Sequence, residues 1–250
     1  MRGIILLFVG CMTCSFGAPA AQALTGEEIV AKMDKFLTQA KDQYFIYEVV
    51  TEEKGKPPRQ LKFDVTIKGT KWRRIEYMEP GDLKGMKVLV LDTDTIWTYL
   101  PAYRKVRRVA SHAKAQGFLG TALSHDEMST VTYGGIYKGK LEKEDDKNWT
   151  VLLERREGSG APYKELRMVI RKDISSPINV EYINDKGEKV KTETRSSYQC
   201  KANNEVCSPR IMVYTDHTRN GLKSTLVQRA WKVNQNVPDR FFTVRSLQRR

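Results

Sequence analysis

Three histidines, His112, His125 and His217, are the imidazoles available to this 250-residue chain. Acid–base or metal chemistry at neutral pH would draw on them first. Only His125 stands in a tight cluster with two acids, in the run Ser124-His125-Asp126-Glu127-Met128. Adjacent side chains diverge on a helix and on a strand alike, so these three do not converge on one metal ion or one proton. No His-Glu-x-x-His spacing, Gly-x-Ser-x-Gly elbow or phosphate-binding glycine loop occurs. A surface or helix-capping role suits the cluster better. The sequence therefore predicts a non-enzymatic protein, with no catalytic residue, metal or cofactor.

Sulfur offers a second chemistry. Cys11 and Cys14 fall in an N-terminal apolar run, whereas Cys200 and Cys207 bracket a short polar stretch between two apolar segments. A disulfide closing a hairpin loop is expected, provided the compartment is oxidising. Zinc is the alternative, and no histidine or third cysteine lies nearby to support it.

Aromatic and basic groups are the third resource. Ile96 to Arg108 reads Ile-Trp-Thr-Tyr-Leu-Pro-Ala-Tyr-Arg-Lys-Val-Arg-Arg. Trp97 and Tyr99 share one face of a strand that ends at Leu100-Pro101, with Tyr103 beyond. Trp72 stands beside Arg73 and Arg74 in a neighbouring strand candidate. These aromatics are either barrel core or the lining of a ligand cavity whose mouth is ringed by Arg104, Lys105, Arg107 and Arg108. Four cations on so short a segment cannot all enter an apolar interior, so a docking role toward a partner or membrane is expected of them.

The elements that would position these groups follow from periodicity. Thr25 and Glu28 form a capping-box pattern ahead of Ile29, Val30, Met33, Phe36, Leu37 and Ala40, spaced for one helical face. From Tyr44 the period becomes two, and about a dozen strands follow: 44–51, 61–68, 71–78, 88–91, 95–100, 136–144, 148–156, 163–171, 178–183, 189–198, 210–216 and 222–233. Turn residues separate them, including Lys68-Gly69-Thr70, Asp92-Thr93-Asp94, Gly158-Ser159-Gly160 and Asn220-Gly221. Phe63, Val65 and Ile67 share one face, as do Leu166, Met168 and Ile170. So many one-faced strands predict a large antiparallel sheet, curled or closed as a barrel. Its apolar face needs a cover. Ala110–Thr130 breaks the strand rhythm with Phe118, Leu119, Leu123 and Met128, and with Gly117 and Gly120 as hinges. Whether that segment and the helix fill the interior or leave a cavity stays open at this level.

Met1-Arg2, the apolar run Ile4–Phe16 and Ala21-Gln22-Ala23 match a secretory signal cleaved after Ala23. A lipoprotein signal cut before Cys11 or Cys14 fits less well. Residues 24–250 are expected to form one domain. The formal net charge is +13, lowered by one once Arg2 leaves. In the periplasm that charge favours anionic lipid headgroups or acidic protein faces over nucleic acid, although a solvated lysine-rich surface explains most of it.

The order Pro80, Lys84-Gly85, Leu89, the 96–108 run, Phe118-Leu119-Gly120-Thr121 and Asp126-Glu127 resembles the outer-membrane lipoprotein-sorting family, the LolA-like proteins. Pro162-Tyr163, Tyr182 to Gly187, His217 to Gly221 and Pro238–Thr243 extend the resemblance across nearly the whole chain after residue 23. Ser124-His125 departs from the aromatic approach to Asp126 that the family pattern implies. The resemblance implies a mainly β, half-closed antiparallel barrel with an N-terminal helix and a helical lid, working in the periplasm. It also implies a carrier that holds acyl chains of a lipoprotein or lipid on its way to the outer membrane. An inner-membrane transporter and an anionic membrane surface would be its partners. On that reading Phe63, Val65, Ile67, Trp97, Tyr99, Phe118, Leu119, Leu166, Met168 and Ile170 line the cavity. The alternative is a lipid-responsive sensor of the RseB-like kind, which usually carries a second, smaller domain for which no room is seen after Arg250.

Overall fold

The computed structural model describes residues 23–92, 95–110, 118–201 and 205–248. Most of the expected signal segment, the turn residues Thr93 and Asp94, His112 and Gly117 lie outside them. The middle of the 200–207 loop does too.

Helix α1, Gly26–Leu37, begins where the sequence says it should. Thr25 Oγ1 accepts the Glu28 N–H at 3.2 Å, and the Glu28 carboxylate accepts the Thr25 N–H at 2.8 Å. Its stripe of Ile29, Val30 and Met33 is fully buried. Glycine makes the docking of this helix possible. A Cβ on Gly26 would stand 2.5 Å from the Leu141 nitrogen, and one on Gly139 would stand 2.6 Å from the Gly26 carbonyl oxygen. Helix and strand therefore meet backbone to backbone.

Thirteen strands are present among the described residues: β1 Asp42–Glu52, β2 Arg59–Lys68, β3 Trp72–Glu79, β4 Lys87–Val90, β5 Ile96–Leu100, β6 Lys105–Arg108, β7 Tyr137–Glu144, β8 Asn148–Arg155, β9 Glu165–Arg171, β10 Ser176–Ile183, β11 Lys189–Lys201, β12 Val206–Asp216 and β13 Leu222–Val233. They form one antiparallel sheet in the order β6-β5-β4-β3-β2-β1-β13-β12-β11-β10-β9-β8-β7. Two meanders are thus joined where β1 pairs with β13, and β6 and β7 are left as edges. The sheet curls without closing, as expected. Its one unexpected member is β6, which the cations and Pro101 had masked. A single turn at Pro101–Tyr103 and a left-handed Arg104 (φ 51°) reverse the chain so that Lys105–Arg108 pairs with β5.

Alternation sorts the side chains onto two faces. The inner face carries Phe45, Tyr47, Phe63, Val65, Ile75, Tyr77, Val88, Val90 and Ile96 in one cluster. Trp149, Val151, Leu153, Leu166, Met168, Ile170 and Val180 lie under α1 in another. On the outer face, Leu89 is covered by the C-terminal segment through Phe242 and Leu247. Trp97 and Tyr99 belong to this outer cluster, with Trp72 and Val106. They share a face, as their spacing required, but it is the face away from the interior, so the expectation that they line a cavity is corrected. The apolar C-terminal turns, 239–241 and 244–248, supply the cover that lets them be half-buried there.

Cys200 and Cys207 are disulfide-bonded, with Cα atoms 4.0 Å apart, and face each other across the β11–β12 ladder. No described helix is long and apolar enough to cross a membrane.

Candidate functional site: a cavity beneath a pinned segment

A cavity of about 250 Å³ lies against the inner face. This approaches the lower end of the roughly 300–1,000 Å³ typical of small-molecule sites. Its walls come from the end of α1, from β1, β2 and β3, and from β11, β12 and β13. Phe45, Phe63, Val65, Ile67, Ile75, Met212 and Leu226 give it an apolar lining.

The roof comes from the described residues 118–136 ahead of β7. Within it, Phe118–Gly120 makes a single turn and α2, His125–Ser129, makes a short helix capped by Ser124 and Glu127. Leu123, Glu127, Met128, Thr130, Val131 and Tyr133 face the cavity. Several specific bonds pin the segment. The Ala122 N–H donates to Ser224 Oγ at 2.9 Å, and Arg219 Nη2 donates to the Thr121 carbonyl at 2.7 Å. Lys191 Nζ donates to Glu127 Oε1 at 2.5 Å, and the Tyr163 hydroxyl donates to the same oxygen. The Glu127 and Lys191 side chains are only 5% and 7% exposed, so this pair is buried and costly to break by removing one partner.

His125 is not on the surface. Its ring packs edge-on against Phe118 at 4.5 Å. Burial pushes its pKa below the ordinary histidine value, so the imidazole is neutral at physiological pH. No group of three or more His, Cys, Asp or Glu suited to a metal occurs among the described residues.

Two arginines interrupt the apolar wall, and their circumstances differ. Arg195 on β11 donates from Nε to Glu193 Oε1 at 2.5 Å. Glu193 also accepts the Tyr182 hydroxyl at 2.6 Å and the Tyr214 hydroxyl at 2.8 Å. Burial alone would push the Glu193 carboxyl up; the Arg195 charge and these hydrogen bonds outweigh it and hold it below its usual range. Arg73 on β3 is 6% exposed and also lines the cavity. Its Nη1 is buried without a hydrogen-bond partner, and no carboxylate pairs with it among the described residues. Burial depresses its pKa to about 10.

Of the ten residues expected to line the cavity, Phe63, Val65 and Ile67 are brought together there. Leu166 instead lines a smaller neighbouring space of about 60 Å³. Met168 and Ile170 are completely buried beneath α1 and are corrected to packed core. Phe118 packs with Tyr77 and His125 in the inner core, and Leu119 is half-buried against it. Arg104, Lys105, Arg107 and Arg108 are exposed on the β5–β6 turn and the β6 edge. Sequence reasoning missed Arg73, the Glu193–Arg195 pair and the Glu127–Lys191 bond. For Arg73 the signal was available, because Arg73, Ile75 and Tyr77 fall on one face by strand alternation.

A protein-family model described as "-like: Uncharacterized protein" matches residues 69–249. No curated protein matches the chain. Among solved structures, a DUF1329 family protein from Desulfovibrio piger superposes with a TM-score of 0.81 at 20% identity, covering 89% of this chain and 97% of the other. A putative outer membrane lipoprotein-sorting protein domain from Vibrio parahaemolyticus gives 0.78 at 20% identity, covering 90% and 98%. A LolA superfamily protein from Nitrosomonas europaea gives 0.73 at 18% identity, covering 90% and 100%. At these identities the likeness is one of fold.

Proposed function

The chain belongs to the family whose model spans its residues 69–249 and has the fold of LolA superfamily proteins; from that premise we propose that it is a non-enzymatic carrier of acyl chains. The apolar cavity on the inner face, roofed by a segment that polar bonds hold in place, carries this reading. Apolar burial supplies the binding force, since each methylene removed from water contributes about 0.8 kcal/mol. Among the described residues the roof is held by hydrogen bonds such as those of Ala122 and Thr121, and by the Glu127–Lys191 pair. It can therefore lift to admit a chain while the sheet stays intact.

The N-terminal sequence pattern supports export to the periplasm, with cleavage after Ala23, and residues 24–250 act as one lipid-binding domain. The cargo is the acyl portion of a lipoprotein or a lipid, carried toward the outer membrane. The exposed cations around β6 serve to dock an anionic membrane surface or an inner-membrane transporter. Native mass spectrometry and lipid extraction of protein isolated from the producing cell test the reading. A co-purifying lipid, or saturable uptake of a fluorescent fatty acid after delipidation, is expected. Absence of both would overturn it.

A further inference from the structure

Arg73 sits where a charge has no ordinary reason to be. It occupies the inner face of β3 in line with Ile75 and Tyr77, both almost fully buried. It borders a cavity lined by Phe63, Val65 and Ile67 from the adjoining strand. Its neighbour Arg74 points to the opposite face, where Glu76 lies 2.9 Å away and the Phe241 ring stacks under the guanidinium at 4.3 Å. Arg195, on the facing wall, is satisfied by Glu193. Among the described residues, Arg73 alone presents a guanidinium to the cavity with Nη1 buried and unbonded.

A buried cation without a partner is expensive, and an aliphatic side chain in its place would pack the same wall at no such cost. A guanidinium offers planar, paired donors that match a carboxylate or a phosphate. Tyr133, on the roof side, borders the same cavity as Arg73 and Arg195. A ligand with an apolar chain and one anionic end would satisfy every group at once. The chain would lie along the Phe63–Ile67 wall and the anion would meet Arg73.

We infer that Arg73 is the anion-recognition residue of the cavity and that the cargo is an acyl lipid bearing a carboxylate or phosphate headgroup. This rests on the carrier reading and narrows it to a ligand class. The test compares, by titration calorimetry on the delipidated protein, oleate with oleyl alcohol, and oleoyl lysophosphatidate with monoolein. At least tenfold tighter binding of the anionic member is expected in one pair or both. Preference confined to the first pair assigns a carboxylate, and to the second a phosphate. R73M should erase the preference while binding oleyl alcohol or monoolein as the wild type does, and R73K should restore part of it. Equal binding of charged and neutral ligands by the wild-type protein overturns the anion assignment and leaves the carrier reading standing, as does a preference that survives R73M. Failure to bind any of the four overturns the carrier reading, and the assignment with it.

Discussion

Along β8, β9 and β10 the inner face carries Trp149, Val151, Leu153, Met168, Ile170 and Val180, all buried beneath α1. Along β1, β2 and β3 it carries Phe45, Tyr47, Phe63, Val65 and Ile75, no less apolar, yet these border a cavity. The difference lies in the cover. Over the first region a capped, three-turn helix sets down a continuous stripe, and Gly26 and Gly139 let it approach to backbone contact. Over the second the described cover, residues 118–136, holds a single turn and a five-residue helix, and several of its side chains border open space. Strand pattern decides which side chains face inward; the regularity of what lies on top decides whether space remains.

The two arginines give the same comparison in charge, and the largest effect is expected there. Glu193→Ala would strand Arg195 and leave two tyrosine hydroxyls without their acceptor. A loss of about 3–5 kcal/mol is expected for breaking such a buried pair. Arg73→Met removes a cation that has no partner to lose, so unfolding stability should hold or rise. Urea denaturation of both variants checks the contrast. A destabilising Arg73→Met would show that the open side of the cavity is held by Arg73 rather than left for a ligand.

Packing is the next test. Met168→Ala beneath α1 should cost about 2–5 kcal/mol, the usual toll of a large-to-small change in a filled core. Val65→Phe in the cavity wall enlarges a side chain where space exists and should cost less than the roughly 1–3 kcal/mol of overpacking elsewhere. Thermal melts report the first difference, and displacement of a fluorescent fatty acid should show Val65→Phe weakening uptake. Equal destabilisation by the two changes would mean that both regions are equally filled.

This contrast also marks what the sequence could convey. Strand faces were legible because Phe63, Val65 and Ile67 alternate strictly with polar neighbours, and Leu166, Met168 and Ile170 do so but for Val169. Helix α1 announced itself through Thr25 and Glu28. Lost was the pairing of distant covers with particular stretches of sheet. Nothing local says that α1 comes to rest on Met168, or that Phe242 and Leu247 fold back over Leu89 and so claim Trp97 and Tyr99 for the outer face. Strand β6 was lost because Arg104 turns the chain through a left-handed residue that glycine or asparagine usually supplies. The Glu127–Lys191 bond joins residues 64 positions apart, a distance at which spacing says nothing.

Inner and outer faces of the first meander differ in acid–base behaviour as well. On the outer face Asp64 stands directly across from Glu76, with Arg74 and Lys87 beside it. Burial, and then the Glu76 charge, raise its pKa from 3.8 to about 6. A raised carboxyl pKa means that the folded protein holds this proton more tightly than the unfolded chain, so stability falls as pH climbs from about 4 to about 6 and stays lower above. Asp64→Asn should remove that dependence and gain about 1–2 kcal/mol at pH 8, after allowance for screening at a half-buried site. Parallel urea titrations at pH 4.5 and pH 8 decide it. A variant no more stable than wild type at pH 8 would mean that Arg74 and Lys87 already neutralise the outer-face acids.

The smallest expected effect on stability separates the cavity from the rim. Lys105 and Arg107 alternate with Val106, which tucks into the outer cluster, and pair with Leu100 and Thr98 at the very edge of the sheet. Charges on an exposed edge strand discourage other strands from adding to it, and that alone would justify them. Docking requires more: the same charges must draw the protein to an anionic surface, with an attraction that weakens as salt is added. Reversing both, Lys105→Glu with Arg107→Glu, should change unfolding stability by less than about 0.5 kcal/mol, because neither side chain is buried. Binding to vesicles containing phosphatidylglycerol should fall and lose its salt dependence, while oleate uptake stays at the wild-type level. If uptake falls instead and vesicle binding survives, the rim steers the ligand and Arg73 is only the end of its path. If neither changes, the cations guard the β6 edge and membrane approach is governed elsewhere on the surface.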